Sequence, residues 1–117
     1  MNILQQGIKT VPNIAILHHS LGLWYVRNQH NDLAIKELKR AVELDSNSAR
    51  FSYVYAVSIA KDDIKSAIEI LESIHKKHTG DKEIVAGLRY YYSEMGDKVK
   101  SRAYQSKLEA LERGEVR

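Results

Sequence analysis

The chain has 117 residues, of which 44% are hydrophobic and 28% are charged, a composition typical of one globular domain. It contains no cysteine, which excludes disulfides, thiolate zinc sites, haem attachment motifs and cysteine nucleophiles. Its formal charge of +3 comes from scattered basic residues, which argues against nucleic acid as the main partner, and no long apolar run indicates membrane insertion.

The first twelve residues are predicted to form a helix, because Leu4 and Ile8 recur at helical spacing. Pro12 lies 34 residues before Ser46, and each precedes an amphipathic segment, which indicates a repeat of that length. Residues 1–12 are interpreted as the second helix of a truncated repeat. The chain is therefore expected to be a fragment of a longer array whose first methionine is an expression start. The alternative is a natural N-terminal capping helix.

Residues 13–48 are predicted to form the first complete helical hairpin. Its first helix is expected over Asn13–Asn28, with Asn13 as N-cap, and its second helix follows the polar turn NQHND with Asn31 as N-cap. Gly22 and Ala34 are small residues on either side of the turn, so the two helices can cross closely. The residues expected on the packed sides are apolar and helically spaced: Leu17, Leu21, Trp24, Tyr25, Leu38, Ala41 and Val42.

Residues 49–80 are predicted to form a second hairpin, with helices over Ser48–Ala60 and Asp63–Lys77. The expected packed residues recur at matching positions in the two helices: Tyr55, Ala56, Ile59, Ala67, Leu71 and Ile74. The hairpin repeats the pattern of the one before it, and stacking the two would bury apolar faces that neither can bury alone.

Residues 81–117 are predicted to form a third hairpin that ends in a polar C-terminal cap. Gly96 suits a left-handed helix end and Asp97 is expected to cap the helix that follows. Arg89 occupies a position where a small residue would let the helices cross closely, so the crossing here is expected to be less tight.

The hairpin pattern resembles the tetratricopeptide repeat (TPR). The residues that carry the resemblance are spaced as in that family: Leu21, Gly22, Tyr25, Ala34, Leu38, Ala41 and Asp45-Ser46-Asn47, with serine in place of the usual proline. The resemblance implies an all-α, single-domain α-α superhelix of three hairpins plus one preceding helix. A looser similarity of the run ARFSYVYAVSIAKDD is to C-terminal repeat arrays of some bacterial proteins that also carry multihaem segments.

The resemblance also implies a protein-interaction scaffold. In the family, the first helices of the hairpins line a concave groove that binds a partner peptide. Carried onto this chain, the groove is an apolar strip with two tyrosines and a basic rim: His19, Leu23, Val26, Arg27, Arg50, Tyr53, Val57 and Tyr90. The basic clamp that some family members use for chaperone C-termini is absent, because Glu83 and Gly87 stand where its third-repeat cations would lie.

A second hypothesis is self-association. Leu4 and Ile8 of the predicted first helix lack a partner helix, so two copies of the chain could bury them against each other as a homodimer.

No catalytic, cofactor or metal site is predicted. The motifs HExxH, GxSxG, GxxxxGK and GxGxxG are missing, and the acids at 62, 63 and 81 are explained as helix caps. His75 and His78 could share one helix face, but basic side chains in a last helical turn suit the helix dipole. The compartment stays open: cytoplasmic, or periplasmic if the parent protein carries an export signal.

Overall fold

The structure is a computed structural model that describes residues 14–114, and it is all-α, as predicted. Over this range the chain forms six helices: α1 Ala15–Arg27, α2 Asn31–Leu44, α3 Ala49–Ile59, α4 Ile64–His75, α5 Lys82–Glu94 and α6 Lys98–Glu112. The helix predicted over residues 1–12 lies outside the described residues.

The helices pack as consecutive hairpins that stack on one another. The most extensive contacts join α1 to α2, α3 to α4 and α5 to α6, and each hairpin then packs on the next through α2 with α3 and α4 with α5. The chain is elongated, with principal extents of 46 × 28 × 19 Å. Each hairpin therefore buries one side against its neighbour, as expected of a repeat array.

The first hairpin is built on a close approach between α1 and α2 at Gly22. A Cβ atom placed on Gly22 would lie 2.7 Å from both Cγ and Cδ2 of Leu38, and 3.3 Å from the Leu38 backbone nitrogen. Leu38 is fully buried and Ala34 is 1% exposed. The prediction of a close crossing is confirmed, although the atoms nearest Gly22 belong to Leu38, one helical turn beyond Ala34.

The third hairpin also crosses closely, in spite of Arg89. The Ser101 hydroxyl on α6 donates a hydrogen bond of 3.1 Å to the carbonyl oxygen of Arg89 on α5. The small serine brings the two helices together while the half-buried arginine side chain extends past the contact. The expected loosening of this crossing is therefore not seen.

Four helices begin with a side-chain cap. Ser48 caps α3, Asp63 caps α4, Asp81 caps α5 and Asp97 caps α6, each side chain accepting from a backbone amide three residues later. These caps account for the acids at the starts of α4, α5 and α6 without any catalytic role.

The predicted cap of α2 is wrong, whereas the predicted cap of α1, Asn13, lies outside the described residues. The N-cap of α2 is His30, which makes no side-chain cap hydrogen bond. In the α1–α2 turn Gln29 adopts a left-handed φ of 61°, and the amide of His30 bonds to the carbonyl of Tyr25 at 2.9 Å. The chain therefore re-enters helix at Asn31, one residue earlier than the polar run NQHND indicated.

The turn between α5 and α6 has the same left-handed geometry, and here a glycine adopts it. Gly96 has a φ of 81°, and the amide of Asp97 bonds to the carbonyl of Tyr92 at 2.9 Å. Glycine adopts this conformation without the steric cost that a side chain meets. The prediction of a left-handed helix end at Gly96 is confirmed.

The core of α3–α6 contains one buried polar link. Glu72 on α4 accepts hydrogen bonds from the hydroxyl of Tyr92 on α5, at 2.6 Å, and from the hydroxyl of Tyr104 on α6. The two tyrosine rings stack with centroids 5.9 Å apart and planes 6° apart. Burial, followed by the hydrogen bond to Glu72, raises the pKa of both tyrosines. One carboxylate thus ties three helices together.

Gly22→Ala is expected to lower the free energy of unfolding by about 1–3 kcal/mol, since the new methyl group would overpack against Leu38. Alanine favours a helix over glycine by about 1 kcal/mol, so intrinsic propensity alone gives the opposite sign. Urea denaturation of the two proteins measures the difference. In a Leu38→Ala background the cost of Gly22→Ala should shrink, because the contacted side chain is removed. A stabilising effect of Gly22→Ala in the wild-type background would contradict the close approach.

Candidate partner-binding surface

The first helices of the three hairpins lie side by side. His19 on α1 stacks on Phe51 of α3 with ring centroids 4.5 Å apart. Arg50 on α3 donates to Glu83 on α5 at 3.2 Å, and α3 and α5 also pack directly. The helices α1, α3 and α5 therefore form one continuous face, which we call the odd-helix face.

A groove runs across this face. A cleft of about 550 Å³ separates the C-terminal half of α3 from α5, and a smaller hollow of about 210 Å³ lies between the α1–α2 turn and α3. Both are lined by Val57 and Lys61, so they are continuous. We define the odd-helix groove by Val26, Val57, Ala60, Lys61, Tyr90 and Glu94.

Three of the eight residues predicted for the groove are exposed apolar side chains on it. Val26 is 42% exposed, Val57 41% and Tyr90 50%. They come from α1, α3 and α5 respectively, which gives the groove one apolar contact point from each hairpin.

Other predicted groove residues lie behind this surface. His19 is only 6% exposed, because it is held between α1 and α3 by its stack on Phe51. Tyr53 is half-buried and packs beside Gly87, whose Cβ position would lie 3.4 Å from Tyr53 Cε1. Leu23 is half-buried on α1. The structure thus gives His19 a packing contact and leaves it little surface for a ligand.

The rim of the groove carries both signs of charge, whereas a basic rim was expected. Arg27 is exposed at the end of α1, but the Arg50 guanidinium is paired with the carboxylate of Glu83. Lys61 and Glu94 lie on the groove itself and make no hydrogen bond or ion pair with another residue of the described range. Asp62 lines both hollows as well, so a ligand here would meet the Lys61 cation together with the carboxylates of Asp62 and Glu94.

Sequence reasoning missed Lys61 and Glu94. Each lies four residues after an exposed groove residue, Val57 and Tyr90, and so continues the same helix face by one turn. That spacing was the available signal.

The histidines with metal-ligand spacing have separate structural contacts. The His75 ring packs edge-on against Tyr104, with centroids 5.7 Å apart, whereas His78 Nε2 donates to the carbonyl oxygen of Asn47 at 2.6 Å. Between residues 14 and 114, no three histidine or acidic side chains are grouped so that they could hold a metal ion. Over the same span, no helix combines the length and apolar character needed to cross a membrane.

Solved structures of MamA share this arrangement of helices. One crystal structure of MamA is 25% identical to this chain, with a TM-score of 0.84, and the match covers 95% of this chain and 66% of that one. A second is 25% identical, with a TM-score of 0.83 and coverage of 95% and 61%. The fold is a TPR-type helical solenoid. The structure named MamA MSR-1 shares this fold at 20% identity, with a TM-score of 0.79 and coverage of 96% and 65%.

The chain thus spans less than two thirds of the length of each of these three MamA chains, or about that share. Neither a protein-family model nor a curated protein matches the sequence.

Acid is expected to destabilise the stack through its two partly or fully enclosed histidines. Burial, and secondarily Arg50, lowers the pKa of His19, and burial, and secondarily Lys107, lowers that of His75. The unfolded chain then binds more protons than the folded one, so stability falls as the pH drops below about 6.5 and levels off below the folded-state pKa values.

Thermal unfolding at a series of pH values between neutral and mildly acidic tests this. His19→Phe keeps a ring against Phe51 but cannot be protonated, so the variant should lose less stability in acid than the wild type. An equal loss in both proteins would show that protonation of His19 does not destabilise the α1–α3 contact.

Proposed function

We propose that this protein is a protein-interaction scaffold that binds a peptide segment of a partner in the odd-helix groove. The observation that carries the proposal is the row of exposed apolar side chains, Val26, Val57 and Tyr90, contributed by three successive first helices of a TPR-type solenoid. Exposed apolar side chains that line one groove are typical of a protein-binding site.

The groove favours a ligand with apolar or aromatic side chains and both signs of charge. Tyr90 stands half-exposed and edge-on to Tyr91, with ring centroids 5.3 Å apart, so one of its sides is supported by the protein and the other is open. A supported tyrosine loses little conformational entropy on binding and is a frequent hot spot of interfaces. Lys61 and Glu94 can pair with an acid and a base of the ligand and set its direction.

Tyr90→Glu is expected to weaken peptide binding at least about tenfold, because it removes the aromatic contact that α5 contributes and adds a charge next to Glu94. Peptides selected from a random display library on the wild-type chain serve as probes, and fluorescence anisotropy measures their affinity.

Val99→Glu is the matched control, since Val99 is 78% exposed on α6, outside the groove, and the charge change is the same. Its affinity should equal that of the wild type. Equal affinities for the wild type and Tyr90→Glu would refute the groove assignment.

A second candidate function is self-association, favoured by exposed isoleucines at the start of α1. Ile14 is 38% exposed and Ile16 is 61% exposed, so this end of the stack presents apolar surface to a second copy of the chain. The predicted helix of residues 1–12 would belong to the same interface.

Ile16→Glu is expected to shift the chain from dimer to monomer, because a carboxylate would be buried at the contact. Light scattering over a range of concentrations measures the mass, and Val99→Glu should leave the dimer intact. A wild-type chain that is monomeric at every concentration would remove this candidate.

A further inference from the structure

A second groove lies between α2 and α4. A hollow of about 540 Å³ is lined by Ile35 of α2 and Ser66 of α4, and another of about 280 Å³ by Val42 of α2 and Ser73 of α4. Both hollows are lined by Glu69 and Ile70, so they form one trough. We define this even-helix groove by Ile35, Val42, Ile59, Ser66, Glu69 and Ile70.

The trough follows the full length of two helices that point the same way. Its first hollow lies at the N-terminal ends of α2 and α4 and its second at their C-terminal ends. The 12 residues of α4 correspond to about 18 Å at a rise of about 1.5 Å per residue. A partner helix of about three turns would fit along it.

The floor of the trough is apolar. Ile59 of α3, Ile35 of α2 and Ile70 of α4 are all half-buried, and Tyr55 of α3 lies beside them. The backbone groups of the walls are used within α2 and α4, so an extended peptide would find few partners for its own amides and carbonyls. A helix satisfies those groups internally and offers one apolar face, which is the requirement for docking in such a groove.

The first hollow is lined by carboxylates and by no basic residue, whereas the second is lined by Lys77, whose ammonium donates to the Asn47 side chain at 2.8 Å. Asp62, Asp63 and Glu69 surround the apolar floor. Asp63 is used as the cap of α4, with its carboxylate bound to the amide and hydroxyl of Ser66 at 3.0 Å and 2.6 Å. Asp62 and Glu69 make no side-chain hydrogen bond or ion pair within residues 14–114. The hollow therefore carries a local negative charge, although the formal charge of the chain is +3.

We infer that the even-helix groove binds an amphipathic helix of a partner protein that carries lysine or arginine beside its apolar face. Ile35, Ile59 and Ile70 receive the apolar side chains, and Asp62 and Glu69 pair with the cations. Ile35 and Asp62 also line the odd-helix hollows, so the two grooves adjoin at the α3–α4 turn, but Val57, Tyr90 and Glu94 do not line the even-helix groove.

A pair of designed helical peptides tests the inference on the full chain. Both place leucine at positions i, i+3, i+4 and i+7, and their polar faces consist of lysine in one and glutamate in the other. The lysine peptide is expected to bind the wild-type chain at least about tenfold more tightly than the glutamate peptide, with an affinity that falls as salt is added. Equal binding of the two peptides would overturn the charge assignment.

Variants then locate the site. Glu69→Lys should lower the affinity for the lysine peptide at least about tenfold and raise the affinity for the glutamate peptide. Ile70→Glu should bind the glutamate peptide less tightly than the wild type does. Glu112→Lys, with the same charge change on exposed α6, should leave both affinities as in the wild type. If Glu69→Lys and Glu112→Lys behave alike, the lysine peptide binds elsewhere and the inference fails.

Two further outcomes separate this groove from the other surfaces. Tyr90→Glu should leave the affinity for the lysine peptide unchanged. The proposal for the even-helix groove and the proposal for the odd-helix groove can therefore fail independently of each other. Circular dichroism of Glu69→Lys should match the wild type, since Glu69 is exposed and caps no helix. A dimer of the wild-type chain that dissociates on Glu69→Lys would overturn the assignment to a partner protein, because a second copy would then occupy the groove.

Discussion

The architecture depends on how closely the two helices of each hairpin can approach. In the first hairpin the contact is made by Gly22 against the fully buried Leu38, where no further methyl group fits. In the second, Ala56 and Ala67 are completely buried, and in the third a serine hydroxyl reaches the backbone of the neighbouring helix. Small residues at these positions bring the helix backbones together, which lets the larger side chains fill the space between hairpins.

The hairpins stack because a closely packed hairpin still exposes apolar side chains on two sides, and neighbouring hairpins bury them. The contacts of α2 with α3 and of α4 with α5 cover them, and the carboxylate of Glu72 ties α4 to α5 and α6. The result is a molecule with two distinct faces, made by the first and by the second helices of the hairpins. The grooves on these faces differ in charge: one has a mixed rim with Lys61 and Glu94, the other a cluster of carboxylates around Glu69.

The apolar spacing of the chain was sufficient to predict the hairpins and most of their packed residues. Leu21, Leu38 and Leu71 are all buried, as expected from their helical spacing. The caps of α4 to α6 at Asp63, Asp81 and Asp97 were also predicted, since each depends on a single residue and its local geometry, whereas Asp62 caps no helix. The predicted cap at Asn31 was wrong because the left-handed turn at Gln29 uses one residue fewer, and that turn depends on how α1 and α2 meet. The division into repeats beyond residues 14–114 stays a prediction.

The sequence by itself determined the all-α class, the hairpins and the apolar side chains of the odd-helix groove, because each depends on periodicity within one or two neighbouring helices. Only the tertiary structure decided that His19 is enclosed against Phe51, that Arg50 is neutralised by Glu83 and that a second, acidic groove lies between α2 and α4. These features join residues about 30 positions apart, brought together by the stacking of one hairpin on the next. Local sequence patterns do not predict which of these distant residues pair, so the charge on each binding surface could be determined only from the folded chain.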